Sequence, residues 1–375
     1  MKIAAYYLVC LAIAPILSLP IIGMDSVFAH ASRSKPYAVV FSNQHRRTVQ
    51  NHNNAIRIVS MGDSNYFYPV DTDVHPSVSR IFLEENIEES FCAHGGDVKV
   101  DVIDWAFVGA RMFHFYCLYY EALRYSPHII IVPINWKWFA KIAATEEYWF
   151  PELTALVPVR SRDLDGSDMN PLTSRGISTM KQIEYKAHYY FLFPIGIKAW
   201  AIENKKGFFD NPTARAMFIK KQMERKTAVP LPPEFGEEET KSRKRFIADR
   251  SRVASRFPMD ISESNLTFRD LCALADVASK HGTHVLFYIW PMDREYLTDM
   301  GAWDQSAFEV SRERIINATH KRNVHFVDYS GLLQREHFYD WGAHCVREGR
   351  IKVGQALAPE IVAILKNASV NSWNE

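Results

Sequence analysis

Ala55-Ile56-Arg57-Ile58-Val59-Ser60-Met61-Gly62-Asp63-Ser64-Asn65 is the stretch from which the rest of the chain can be ordered. Ile56, Ile58 and Val59 make an apolar, β-branched run suited to a buried strand, and Gly62-Asp63-Ser64 stands where that strand must end. Glycine lets a backbone turn sharply, and the carboxyl ends of strands are where open α/β sheets hold their ligands. A serine at such a corner can direct its hydroxyl into the crevice, with nearby backbone N–H groups ready for an oxyanion. Gly-Asp-Ser is equally an ordinary turn tripeptide, so its meaning depends on what the other segments supply.

Downstream, residues 98–105 read as a second strand running into a turn that contains Gly109. Residues 111–125 carry a helical pattern with an apolar, aromatic face (Met112, Phe115, Tyr116, Tyr119), ended by Pro127, and residues 128–135 read as a third strand. Continuous apolar strands separated by helices predict an α/β fold: a three-layer α/β/α sandwich around a mostly parallel sheet. Three strand ends then deliver Ser64, Gly109 and Asn135 to one edge of that sheet.

Residues 141–260 break the rhythm. They include a polar, turn-rich stretch at 161–175, a helical pattern over 180–202 interrupted at Pro194, and a densely charged run at 220–252. We expect a helical insertion there, between a first part of the domain at 55–140 and a second at 261–375. The α/β pattern resumes with a helix over 265–280, opened by Asn265 and closed at Gly282. A strand at 284–291, a helix at 307–321 and a last strand at 324–329 follow. Phe338 to His344 form a loop, and an amphipathic helix at 349–365 buries Ile351, Val353, Leu357 and Ile361.

A chain of 375 residues, 47% hydrophobic and 13% aromatic, can bury a large core and is globular rather than disordered. Its 44 basic and 43 acidic residues leave a net charge of +1, which argues against nucleic acid as a partner. Residues 3–23 are apolar apart from Tyr6, Tyr7 and Ser18 and carry no charge, long enough to cross a bilayer. Ala29-His30-Ala31 then offers a small-x-small cleavage site. Residues 1–31 are therefore a signal peptide or a membrane anchor, residues 32–54 a polar linker, and the remainder is expected outside the cytoplasm. Outside the apolar segment, Cys92, Cys117, Cys272 and Cys345 are widely spaced with no Cys-x-x-Cys, which argues against zinc and leaves free thiols and disulfides both open.

A serine hydroxyl needs a base within hydrogen-bond reach, itself oriented by an acid. His344 and Asp340, in one loop after the last strand, supply both, in the chain order Ser64, Asp340, His344. Backbone N–H groups of Ser64 and Gly109 with the Asn135 amide would form an oxyanion hole.

Gly62-Asp63-Ser64-Asn65 after the first strand, Gly109 after the second, Asn135 after the third and a late Asp/His pair resemble the SGNH (GDSL-type) hydrolases. The spacing from His344 to Gly349 and into the last helix is similar to that family's closing block. The resemblance covers about 55–140 and 265–365. It implies Ser64 as nucleophile, His344 as base, Asp340 as its orienter, Ser64, Gly109 and Asn135 as oxyanion donors, and no metal or organic cofactor. Two blocks depart from the pattern. Pro133-Ile134-Asn135-Trp136 keeps only the asparagine of Gly-x-Asn-Asp, and three residues rather than two separate Asp340 from His344. The acid is thus Asp340 on a bulged loop, another carboxylate such as Asp328, or none.

Exported, N-terminally anchored members with an inserted segment resemble proteins that add or remove acyl groups on cell-surface polysaccharides. The expectation is an esterase or O-acyltransferase acting on an acylated carbohydrate or other ester, with a membrane-bound acyltransferase as partner. The rival expectation is an inactive scaffold subunit of a polysaccharide-modifying complex. Trp105, Trp136, Trp290 and Trp341 fall at strand ends and suit either a sugar platform or core packing.

Overall fold

The computed structural model describes residues 55–63, 78–93, 98–106, 110–140, 151–158, 171–187, 259, 261–338 and 344–372. Residues 1–54, and with them the apolar segment and its cleavage site, lie outside these, as does most of 188–260. Among the described residues no helix is long and apolar enough to cross a membrane.

Five strands, β1 (Ile56–Gly62), β2 (Val100–Ala106), β3 (Ile129–Ile134), β4 (His284–Ile289) and β5 (Val324–Asp328), form one sheet in the order β2-β1-β3-β4-β5. Every neighbouring pair is parallel. Seven helices are described: α1 (Val78–Cys92), α2 (Met112–Leu123), α3 (Thr179–Ala187), α4 (Leu266–His281), α5 (Arg294–Asp299), α6 (Gln305–Thr319) and α7 (Arg347–Ser372). The α/β class read from the sequence holds.

Side chains alternate across each strand, so consecutive apolar residues feed two separate cores. Val59, Ile103, Ile130, Val132, Val285 and Phe287 face one buried cluster with residues of α2, α4 and α6. Ile58, Val102, Ile129, Ile131, Leu286 and Tyr288 face the other, with Leu83, Ile87 and Phe91 of α1 and Val353, Leu357 and Ile361 of α7. The four-residue spacing of Leu83, Ile87 and Phe91 is one stripe of a helix laid on the sheet.

Helix α1 also closes the sheet's edge. The Glu84 and Glu88 carboxylates each accept a 3.0 Å hydrogen bond, from the Val102 and Val100 N–H groups of β2. Those donors would otherwise be an open template for another strand.

The expected face of 111–125, Met112, Phe115, Tyr116 and Tyr119, is buried, and so is most of the rest of the helix: α2 buries ten of its twelve residues, Phe113 and Leu118 among them. A helix covered all round needs a second layer, and residues of the expected insertion supply it. Leu153, Leu156, Val157, Leu172 and Ile177 join the same core. Arg175 lies 4.0 Å above the Phe113 ring and forms two hydrogen bonds, 2.8 and 2.7 Å, with Asp270 of α4. The described parts of 141–260 are built into the main core.

Helix α4 keeps its predicted ends. The Asn265 side chain accepts from the Thr267 and Phe268 N–H groups, and Gly282 takes the left-handed conformation at φ 72° that ends the helix. Asn265 and Thr267 are both buried in this cap. Cys92, Cys117, Cys272 and Cys345 are all free thiols, the last three buried.

Candidate active site at the carboxyl ends of β1 and β3

In the order β2-β1-β3-β4-β5, the chain leaves β1 toward α1 on one face and leaves β3 toward α4 on the other. Connections diverging from adjacent parallel strands open a crevice at their carboxyl ends, the place where such sheets bind ligands. β1 and β3 are paired neighbours, with Ser60 beside Ile131, so their exits share this crevice.

At the β3 exit stands Asn135, 3% exposed in an extended backbone. Its Oδ1 accepts from the Lys137 N–H at 3.2 Å and caps the short 3₁₀ helix Trp136–Phe139. That bond turns the amide's oxygen toward its own chain. The Asn135 Nδ2 is buried with no hydrogen-bond partner among the described residues. An amide donor without an acceptor is costly to bury, and this one stands at the carboxyl edge of the sheet.

The 3₁₀ helix carrying Lys137 is stitched to α4. Asn265 Nδ2 donates to the Phe139 carbonyl and Thr267 Oγ1 to the Trp138 carbonyl, both at 3.0 Å. At the β1 exit, the Asp63 carboxylate is 2% exposed and lies 4.0 Å from the Lys137 ammonium.

Ser64, Gly109 and Asp340 lie outside the described residues. Ser64 follows Asp63 directly, and Gly109 follows the end of β2 by three positions. His344 is described and half-buried, immediately before the buried Cys345. The chain on either side of the 339–344 loop is tied together by an isolated antiparallel bridge between Phe338 and Cys345 and by the Val346 N–H donating to the His337 carbonyl at 2.9 Å. Gly349 lets the first turn of α7 press against this base: a Cβ there would sit 3.0 Å from the His337 oxygen and 3.1 Å from the Cys345 Cβ. Phe338 and Cys345 belong to the same buried cluster as Trp290, the residue after β4.

Asp328, the other carboxylate considered, has both oxygens engaged. Oδ2 accepts from Arg312 Nε at 2.6 Å, and Oδ1 accepts from the Ser330 N–H at 2.9 Å and from the Ser330 hydroxyl. It holds the β5 exit together.

Of the two readings of the strand-end tryptophans, core packing is the one met by three of the four. Trp105, Trp136 and Trp290 are buried, because each continues its strand's inward alternation before the chain turns. Trp341 lies outside the described residues. A half-buried aromatic given no role from the sequence is Trp303, between α5 and α6. It lines a groove of about 730 Å³ with Arg294, Thr298, Asp299, Gln305 and Arg335. Arg294 lies over the Trp303 and Phe308 rings and donates to the Ser330 hydroxyl. Among the described residues no three His, Cys, Asp or Glu side chains gather closely enough to hold a metal ion.

No family model matches the chain, and no curated protein matches it.

Proposed function

We propose that the chain is an exported serine esterase or O-acyltransferase of the SGNH type, a three-layer sandwich acting on acyl groups, acetyl by preference, of a glycan. Ser64 attacks the acyl carbonyl while His344 takes its proton and Asp340 orients the imidazole. The oxyanion is received by the Ser64 and Gly109 N–H groups and the Asn135 amide. Collapse of the tetrahedral intermediate expels the alcohol, which receives the proton from His344, and leaves an acyl-enzyme on Ser64. Water or a sugar hydroxyl then attacks the acyl carbon and gives its proton to His344, and the ester or acid departs as the Ser64 hydroxyl is restored. Hydrolysis and transfer differ only in the second nucleophile.

The observation that carries this reading is the unpartnered, buried amide of Asn135 at the β3 exit, beside the β1 exit that leads into Gly62-Asp63-Ser64. Labelling with a fluorophosphonate probe tests it. Wild type should label at Ser64, and Ser64→Ala should stay dark. Acetate release from p-nitrophenyl acetate, with and without a sugar acceptor, then separates hydrolase from transferase. A folded wild type that remains unlabelled overturns the enzyme reading in favour of a scaffold subunit.

A further inference from the structure

We infer that Lys137 is a positioning residue that fixes the two halves of the candidate acyl-transfer machinery relative to one another, an inference that rests on the acyl-transfer reading. One residue touches both halves. Its backbone N–H holds Oδ1 of Asn135, and so aims the Nδ2 donor. Its ammonium lies 4.0 Å from the carboxylate of Asp63, the residue before Ser64. A buried carboxylate favours a cation nearby, so the ammonium and the Asp63 carboxylate draw the β1 and β3 exits toward one another.

The rest of the geometry keeps Lys137 from being a passive tail. Its short helix is held at Trp138 and Phe139 by hydrogen bonds from Asn265 and Thr267, so the backbone beneath the ammonium cannot drift. Both residues of α4 are buried, and α4 itself packs in the core on that face of the sheet. A rigid helix thus reaches, through one turn and one side chain, across from the β3 exit to the β1 exit. Oxyanion donors work only when aimed at the place where charge develops, and an ångström of displacement between nucleophile and donor is expensive in rate. Lys137 acts on that displacement through Asp63 on one side and Asn135 on the other.

The test uses the full chain and three variants: Lys137→Met, Lys137→Arg and the double variant Asp63→Asn with Lys137→Met. Fluorophosphonate labelling rate at Ser64, kcat and KM on p-nitrophenyl acetate, and melting temperature are measured for each. Lys137→Met should lose at least tenfold in kcat and in labelling rate with KM within twofold of wild type, and Lys137→Arg should recover most of the loss. The double variant removes both charges of the pair; with its melting temperature showing that it is folded, it should remain slow because the link across the crevice is absent. A wild-type kcat in the double variant, or a kcat within twofold of wild type in Lys137→Met, overturns the inference while leaving the labelled Ser64 intact. A wild type unlabelled at Ser64 overturns the acyl-transfer reading and the inference with it.

Discussion

Replacing Arg175 by methionine removes one partner of the most deeply buried ion pair described in the protein. The Arg175 and Asp270 side chains are 4% and 1% exposed and share two hydrogen bonds of 2.8 and 2.7 Å. Arg175 also donates to the Pro171 carbonyl at 3.2 Å and covers the Phe113 ring. Methionine keeps much of the apolar contact with Phe113 but takes the guanidinium away from a carboxylate inside the core. Breaking a buried pair in this way costs about 3–5 kcal/mol, whereas replacing both partners by apolar residues is often neutral. Urea unfolding followed by tryptophan fluorescence should therefore show Arg175→Met less stable by about that amount. The double variant of Arg175→Met with Asp270→Leu should recover most of it. The reasoning fails if Arg175→Met costs under about 1 kcal/mol, or if the double variant is as weak as the single one. Either result would mean that residues 171–187 do not depend on this pair for their place on α2 and α4.

The remaining expectations are smaller in scope. Asn135→Ala should lower kcat on p-nitrophenyl acetate by about 10²–10³-fold, or roughly 2.7–4 kcal/mol, with KM little changed; an unaltered kcat removes Asn135 from the oxyanion hole. Burial holds His128, His284 and His325 below the usual histidine value, helped by Arg57 at the first and by His284 at the last. The unfolded chain then binds more protons than the folded one below about pH 6.5, so stability is fully present above that value and falls as the pH drops beneath it. Urea midpoints at pH 7.5, 6 and 5 should decline in that order, and less steeply once His284→Asn and His325→Asn dissolve the 3.0 Å ring-to-ring hydrogen bond. Glu84→Ala with Glu88→Ala should uncover the β2 N–H groups, costing about 1–3 kcal/mol for each donor left unmade and raising light scattering at 37 °C. Gly349→Ala should cost about 1–3 kcal/mol by overpacking the base of the His344 loop, read from the same urea curves.

Much of the sheet was legible because β-branched runs at 56–59, 129–132 and 285–289 can only be strands between turn signals, and a parallel arrangement follows from the helices between them. Asn265 and Gly282 announced both ends of α4 for the same kind of local reason. Less visible were features made by distant segments. Nothing within 111–125 tells that both sides of α2 are buried, because its cover comes from scattered apolar residues between 153 and 177. Helix α5 spans a single turn and a half, too short for any periodic signal, although its cap is a hydrogen bond from the Tyr296 N–H to Asp293. At the candidate site, Asn135 was found from its place after a strand. Lys137 was not, since a lone lysine two residues later reads as a surface charge until the β1 exit is brought beside it.

The direction of the strands has a consequence for how a tethered molecule would face its surroundings. All five run the same way, so the chain enters β1 at the end of the sheet remote from the crevice, and the seven residues of that strand span roughly 20 Å. Under the proposed export, anything that moors residues 1–31 to a bilayer pulls on the far pole of the domain, and residues 32–54 stretch to at most about 80 Å. The mouth beside Asn135 lies at the opposite end of the sheet from the point where such a tether joins.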